Sequence, residues 1–116
     1  VIETRRVYGD SGGSGYRVLV DRLWPRGLKK EEVKADIWLK DVAPSNELRK
    51  WFGHEPERWP EFKRRYFIEL KDHPDEVHKI ASRAKRVRVV LLYGAKDEEH
   101  NEAVALKEYV EKKMKW

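Results

Sequence analysis

Cysteine and glutamine are absent from this 116-residue sequence, asparagine occurs twice and methionine once. The missing cysteine removes disulfides, thiolate zinc sites and thiol nucleophiles, and with them several large enzyme classes. No apolar run approaches the roughly 18 residues that a membrane-spanning helix requires. The opening residues read as a charged strand rather than a leader, so a cytoplasmic protein with no membrane partner is expected. Scarce amide and sulfur side chains beside 41% charged residues are the bias of heat-adapted proteins, and thermostability is expected too. The formal charge is +5, from 26 basic and 21 acidic residues. That mixed surface permits an anionic partner, nucleic acid included, without singling one out.

What is present is aromatic and periodic. Five Trp, five Tyr and three Phe give a chain of this size the material for one packed core, with no composition break to divide it. Val87 to Tyr93 is nearly continuous in β-branched and aliphatic residues, the pattern of a central strand covered on both faces. Asp97 then suits an N-cap, with Glu98 and Glu99 in the first turn of a helix that continues through Ala103, Leu106, Val110 and Met114. Lys112, Lys113 and Lys115 stand at its C-terminal end, where cations suit the dipole. Upstream, Ile2 to Tyr8 and Tyr16 to Val20 read as strands, Leu28 to Lys34 as a short helix and Ile37 to Leu39 as a short strand. Ser45 caps a helix that ends at Gly53. Pro56 to Leu70 is expected to be helical, with Trp59, Phe62, Tyr66 and Leu70 on one buried stripe, and another helix runs from Pro74 to Ala84.

Gly9-Asp10-Ser11-Gly12-Gly13-Ser14-Gly15 matches two motifs and satisfies neither. Ser11 precedes every His, which is the wrong order for a trypsin-like triad. No Lys-Ser or Lys-Thr and no helix follow, as a phosphate loop requires. A flexible hairpin connection between the first two strands is the expectation. His73 and His78 are five residues apart, off one helical face, and no metal site is expected.

Two strand ends carry chemistry. Asp21-Arg22-Leu23-Trp24-Pro25-Arg26-Gly27 sets two arginines about a Trp-Pro turn, where planar forks suit phosphate, sulfate or carboxylate, with Asp21 to orient one of them. An Asp-Arg ion pair closing the turn, with Trp24 as core, is the structural alternative. Lys96, Asp97, His100 and Asn101 occupy a strand-to-helix loop, the place in α/β sheets where anions settle on unpaired amides. His54 follows a helix end and is either an acid-base group or a surface residue.

These stretches, with Trp38-Leu39-Lys40-Asp41-Val42-Ala43-Pro44-Ser45 and Leu48-Arg49, Trp51-Phe52-Gly53-His54, resemble the YeaO-like proteins, within a larger prokaryotic superfamily catalogued as a domain of unknown function. The resemblance covers nearly the whole chain. It implies a compact α/β domain with these two motifs and names no reaction.

The expected fold is a single three-layer α/β/α sandwich around a mostly parallel sheet, with Tyr16 to Val20 and Val87 to Leu92 as adjacent parallel strands. Arg22, Arg26, Lys96, His100 and Asn101 would converge at their carboxyl ends on a phosphorylated small molecule, with Asp21 and Asp97 as orienters. His100, then His54, would serve any acid-base hydrolysis. The alternative is a nucleic-acid-binding or protein-interaction module without catalysis. No pattern names a cofactor or an oligomeric state.

Overall fold

The apolar run near the C-terminus becomes strand β4 (Val89–Tyr93), buried along its whole length. In the computed structural model, which describes residues 1–9 and 14–114, β4 stands between β1 (Ile2–Arg6) and β2 (Tyr16–Leu19). A two-residue edge strand, β3 (Ile37–Trp38), completes the order β1-β4-β2-β3. All three pairings are parallel, with Ile2 and Tyr16 both opposite Val89. Parallel neighbours bring their carboxyl ends to one pole, which is what positions the site.

The strand period of two sorts side chains to opposite faces. Val18, Val20, Val89, Leu91 and Tyr93 join the main core, which is covered by α2 (Asn46–Phe52), α3 (Trp59–Leu70), α4 (Pro74–Ala84) and α5 (Glu102–Met114). Leu19, Val90 and Leu92 face the other way into a smaller cluster with Val7 and Val33. That face is covered thinly, by the four-residue α1 (Lys30–Val33) and by Trp24 and Leu28 of the segment before it. The buried Arg17 guanidinium holds α1 down, donating to the carbonyls of Val33 at 3.0 Å and Lys34 at 2.9 Å.

The mixed α/β fold, the parallel β2–β4 pair, the Ser45 cap and the Phe62-Tyr66-Leu70 stripe are as the sequence led us to expect. Three expectations are corrected. The first two strands form no hairpin, because β4 lies between them and pairs with both. The α-helix expected from Pro56 starts at Trp59, after a separate 3-10 turn at Pro56–Arg58. Pro60 lacks the amide that would bond the Pro56 carbonyl. The last helix starts at Glu102, four residues later than Asp97 indicated: Asn101 is its cap, accepting from Val104 N at 3.0 Å. Ser11 and Lys115 lie outside the described residues.

Candidate functional site

Asp21 lies two residues past β2 and Gly94 directly follows β4, and the two are bonded: Asp21 Oδ2 accepts from Gly94 N at 2.9 Å. Position 94 has little room for a side chain, since a Cβ there would lie 3.0 Å from that oxygen. On the other side of β4, Arg6 Nε donates to the Ala95 carbonyl at 3.0 Å. The loop after β4 is thus tied to both neighbouring strands. It forms one wall of a cleft whose other wall is α2 and the turn that follows it.

The cleft has two lobes that share Pro44, Arg49, His54, Ala95 and Glu102, with cavity volumes of about 160 and 240 Å³. Phe52, Phe62, Lys50, His100 and Asn101 complete the first. Asp21, Arg22, Leu23 and Gly94 help to complete the second. Two α2 features aim this wall. Arg49 donates to Asn46 Oδ1 one turn earlier at 3.0 Å. At the helix end Gly53 and His54 are both left-handed, with φ of 53° and 59°. A non-glycine residue held in that region carries strain, and such residues cluster at binding sites.

Across the cleft Asp97 organises the loop. Its Oδ1 accepts from the amides of Glu99 and His100 at 2.9 and 3.0 Å, and its Oδ2 lies 2.9 Å from His100 Nδ1. Those two amides first, and then the imidazole, hold the Asp97 carboxyl below its ordinary range. When Nδ1 carries the proton toward Asp97, Nε2 is left as the basic nitrogen. The Trp59 ring stands edge-on to His100 at 5.3 Å between centroids, so the imidazole is set by a carboxylate and an aromatic together.

Glu102, in the first turn of α5, meets Asp21. Burial first, and then its hydrogen bond and repulsion with Asp21, push the Glu102 carboxyl well above the ordinary range, with Arg49 pulling the other way. Asp21 Oδ1 is buried and accepts no hydrogen bond, and a protonated Glu102 carboxyl is the neighbouring group with a proton to donate there. An acid whose pKa is raised by folding takes up a proton on folding. Its stabilisation is complete below the unfolded-state pKa and is lost as pH rises through the folded value. Glu102→Gln is therefore expected to gain stability relative to wild type as pH rises above about 4.5, by at most about 1.4 kcal/mol per pH unit. Urea melts of both proteins from about pH 4 to pH 9 measure this; parallel stability curves would exclude a raised Glu102 carboxyl.

Of the residues read from the sequence, Asp21, Arg22, His54, His100 and Asn101 line this cleft, and Asp97 stands behind His100. Arg26 and Lys96, expected to converge here, are not brought to this cleft. Both are exposed and neither is among its lining residues. Arg26 follows Pro25 onto the turn beside Tyr8, whose hydroxyl donates to the Arg26 carbonyl at 2.9 Å. Arg22 is oriented by backbone rather than by Asp21, donating to the carbonyls of Ala43 and Pro44 at 3.0 and 3.2 Å. Asn101 is largely committed to structure, donating to the Asp97 carbonyl and capping α5. Sequence reasoning missed Arg6, Arg49 and Glu102. The signals were a basic residue at the end of β1, an arginine on the helix leading to His54, and an acid beside Asn101. Among the described residues no group of three His, Asp or Glu could hold a metal, and no helix is long and apolar enough to cross a membrane.

A family model described as the inactive DUF488-N3 subclade matches residues 1–116. The chain is 43% identical over 110 residues to the uncharacterised protein YeaO of Escherichia coli K12, covering 94% of this chain and 96% of that protein. It is 53% identical over 72 residues to uncharacterised proteins of Mycobacterium tuberculosis H37Rv, Rv3073c, and Mycobacterium bovis, Mb3100c, covering 61% of each chain in both cases. No solved structure matches it.

Proposed function

We propose a binding role without turnover for the carboxyl-end cleft, since the chain belongs to the inactive DUF488-N3 subclade along its whole length. The ligand is a small anion, most suitably one bearing a phosphate. The observation that carries this reading is the meeting of Arg49 and His54 with His100 across a concave floor at the ends of β2 and β4. Lys50 adds a cation, and the raised Glu102 carboxyl reduces the negative charge that an anion would meet beside Asp21. Cations around a partly enclosed site, with bonds already fixed, favour an anion and lose little on reorganising.

Acid-base hydrolysis is the second reading, favoured by the 2.9 Å bond that orients His100. Its candidate groups are His100 and then His54; the description of the family as inactive weighs against it. We take the protein to be cytoplasmic and heat-adapted, as its missing cysteine and dense charge support.

Calorimetric titration of inorganic phosphate and of a nucleoside monophosphate tests the binding. Arg49→Ala and His100→Ala are each expected to weaken it by about 1.5–3 kcal/mol, the range for hydrogen bonds to a charged group. The double variant should depart from additivity by about 0.5 kcal/mol or more because both residues hold one ligand. Lys96→Ala should leave affinity unchanged. No binding to wild type, or strict additivity, would dismiss the shared site. Phosphate release from the nucleotide would replace binding with turnover.

A further inference from the structure

The excess positive charge of this chain is segregated. From Val77 through Lys96 there are six Lys and Arg and no Asp or Glu, which leaves 20 basic against 21 acidic residues elsewhere. Five of the six, Lys79, Arg83, Lys85, Arg86 and Arg88, lie on α4 or between it and β4, and all five are exposed. Because the sheet is wholly parallel, the start of β4 lies at the amino-end pole, opposite the cleft. α5 follows β4 and runs back to this pole, so Lys112 and Lys113 arrive there too, and Lys85 and Lys113 line one groove.

Carboxylates reach this pole too and are partly committed. Glu3 lies 3.3 Å from Arg5 and 3.8 Å from Arg88, Asp36 Oδ2 accepts from Arg17 N at 2.8 Å, Glu108 pairs with Lys63 at 3.1 Å, and Glu111 is beside Lys112. The helix dipole accounts for a cation in the last turn of α4, where Arg83 stands. It does not account for Arg88 on the strand side, whereas Lys79 follows Asp75 and Glu76 by four and three residues, the spacing of intrahelical ion pairs. Crowding like charges within a Debye length of about 10 Å costs stability unless a counter-charge arrives.

We infer that this pole is a second interaction surface, distinct from the cleft, and that it takes the phosphate backbone of duplex nucleic acid without reading its sequence. Charge alone carries such binding. Insertion into a membrane surface needs a continuous apolar face; that of α4, Val77, Ile80 and Ala84, is buried in the core, and the exposed apolar side chains at this pole are the single valines Val1 and Val87. Single strands need open aromatic rings, whereas the Tyr16 ring is covered by Arg83 at 4.3 Å.

Fluorescence anisotropy of a labelled duplex of about 20 base pairs, titrated with the full chain between about 50 and 200 mM salt, tests this surface. Wild type is expected to lose affinity linearly in log salt. Arg83→Gln/Lys85→Gln/Arg86→Gln should bind at least about tenfold more weakly at the lowest salt, with a log-log slope shallower by about 2–3, near 0.9 for each phosphate no longer neutralised. An unchanged melting curve shows that the variant is folded, and Arg49→Ala should bind the duplex as wild type does. Absence of binding at about 50 mM salt overturns the inference, as does a triple variant with wild-type affinity and slope. Equal retention on anionic lipid vesicles, or equal displacement by poly-glutamate, would show a general polyanion or acidic-protein surface and overturn the assignment to nucleic acid.

Discussion

Phe62→Ala is expected to destabilise the protein by about 3–5 kcal/mol, the cost of truncating a packed aromatic residue. Phe62 is only 2% exposed. Its ring stacks on Trp59 at 5.6 Å, tilts against Phe52 at 4.5 Å and meets Tyr66 at 5.8 Å, so truncation leaves three rings facing a void at once. Domains of this kind are held by about 5–15 kcal/mol in total, so the variant should be near unfolding at moderate denaturant. Chemical denaturation measures the loss. A value under about 1.5 kcal/mol would mean that the cavity collapses and that this stripe is not a closely packed core. Because Phe62 supports Trp59 and Trp59 flanks His100, the surviving folded fraction should also bind phosphate more weakly.

Arg17→Met should cost about 3 kcal/mol or more by a different route. The substitution keeps an apolar stem and removes a buried guanidinium that serves two carbonyls at the end of α1. Hydrogen bonds to a charged group contribute about 1.5–3 kcal/mol each, and the carbonyls are left without a donor. A four-residue helix has little stability of its own. Once released it uncovers Leu19, Val90 and Leu92, so the variant should bind a hydrophobic dye before it unfolds globally. A loss under about 1 kcal/mol with no dye binding would show that Val33 and the Trp24–Trp38 contact hold this layer without the guanidinium.

The parts of the fold legible in the sequence are those written in local pattern. The β4 run, the aromatic stripe of α3 and the Ser45-to-Gly53 helix each carry their signal within a dozen residues. The hairpin expectation fails because glycine-rich connections describe flexibility, whereas strand partners depend on a segment some seventy residues away. The misplaced start of α5 has another cause. Asp97 and Asn101 are both good caps, four positions apart, and local chemistry does not rank them. The fold uses Asp97 to turn the loop and Asn101 to start the helix, and the two are joined by the bond from Asn101 Nδ2 to the Asp97 carbonyl. In the cleft, His54, His100 and Asp21 are visible from sequence because unusual chemistry at strand and helix ends is conspicuous. Arg49 and Glu102 are not, because on a helix their residue types are what any solvated face would carry.

The central strand is the last of the four to be synthesised. Hydrogen bonds across it join residues as far apart as Arg6 and Ala95, or Asp21 and Gly94. Until β4 has left the ribosome, β1 and β2 have no partner between them, since they do not pair with each other. The growing chain therefore carries two open strand edges, and sheet formation waits for closure of long loops. Pairing of β1 and β2 into the sheet therefore waits for β4, and a pause in synthesis before Val89 would leave both edges open to pairing with a neighbouring chain.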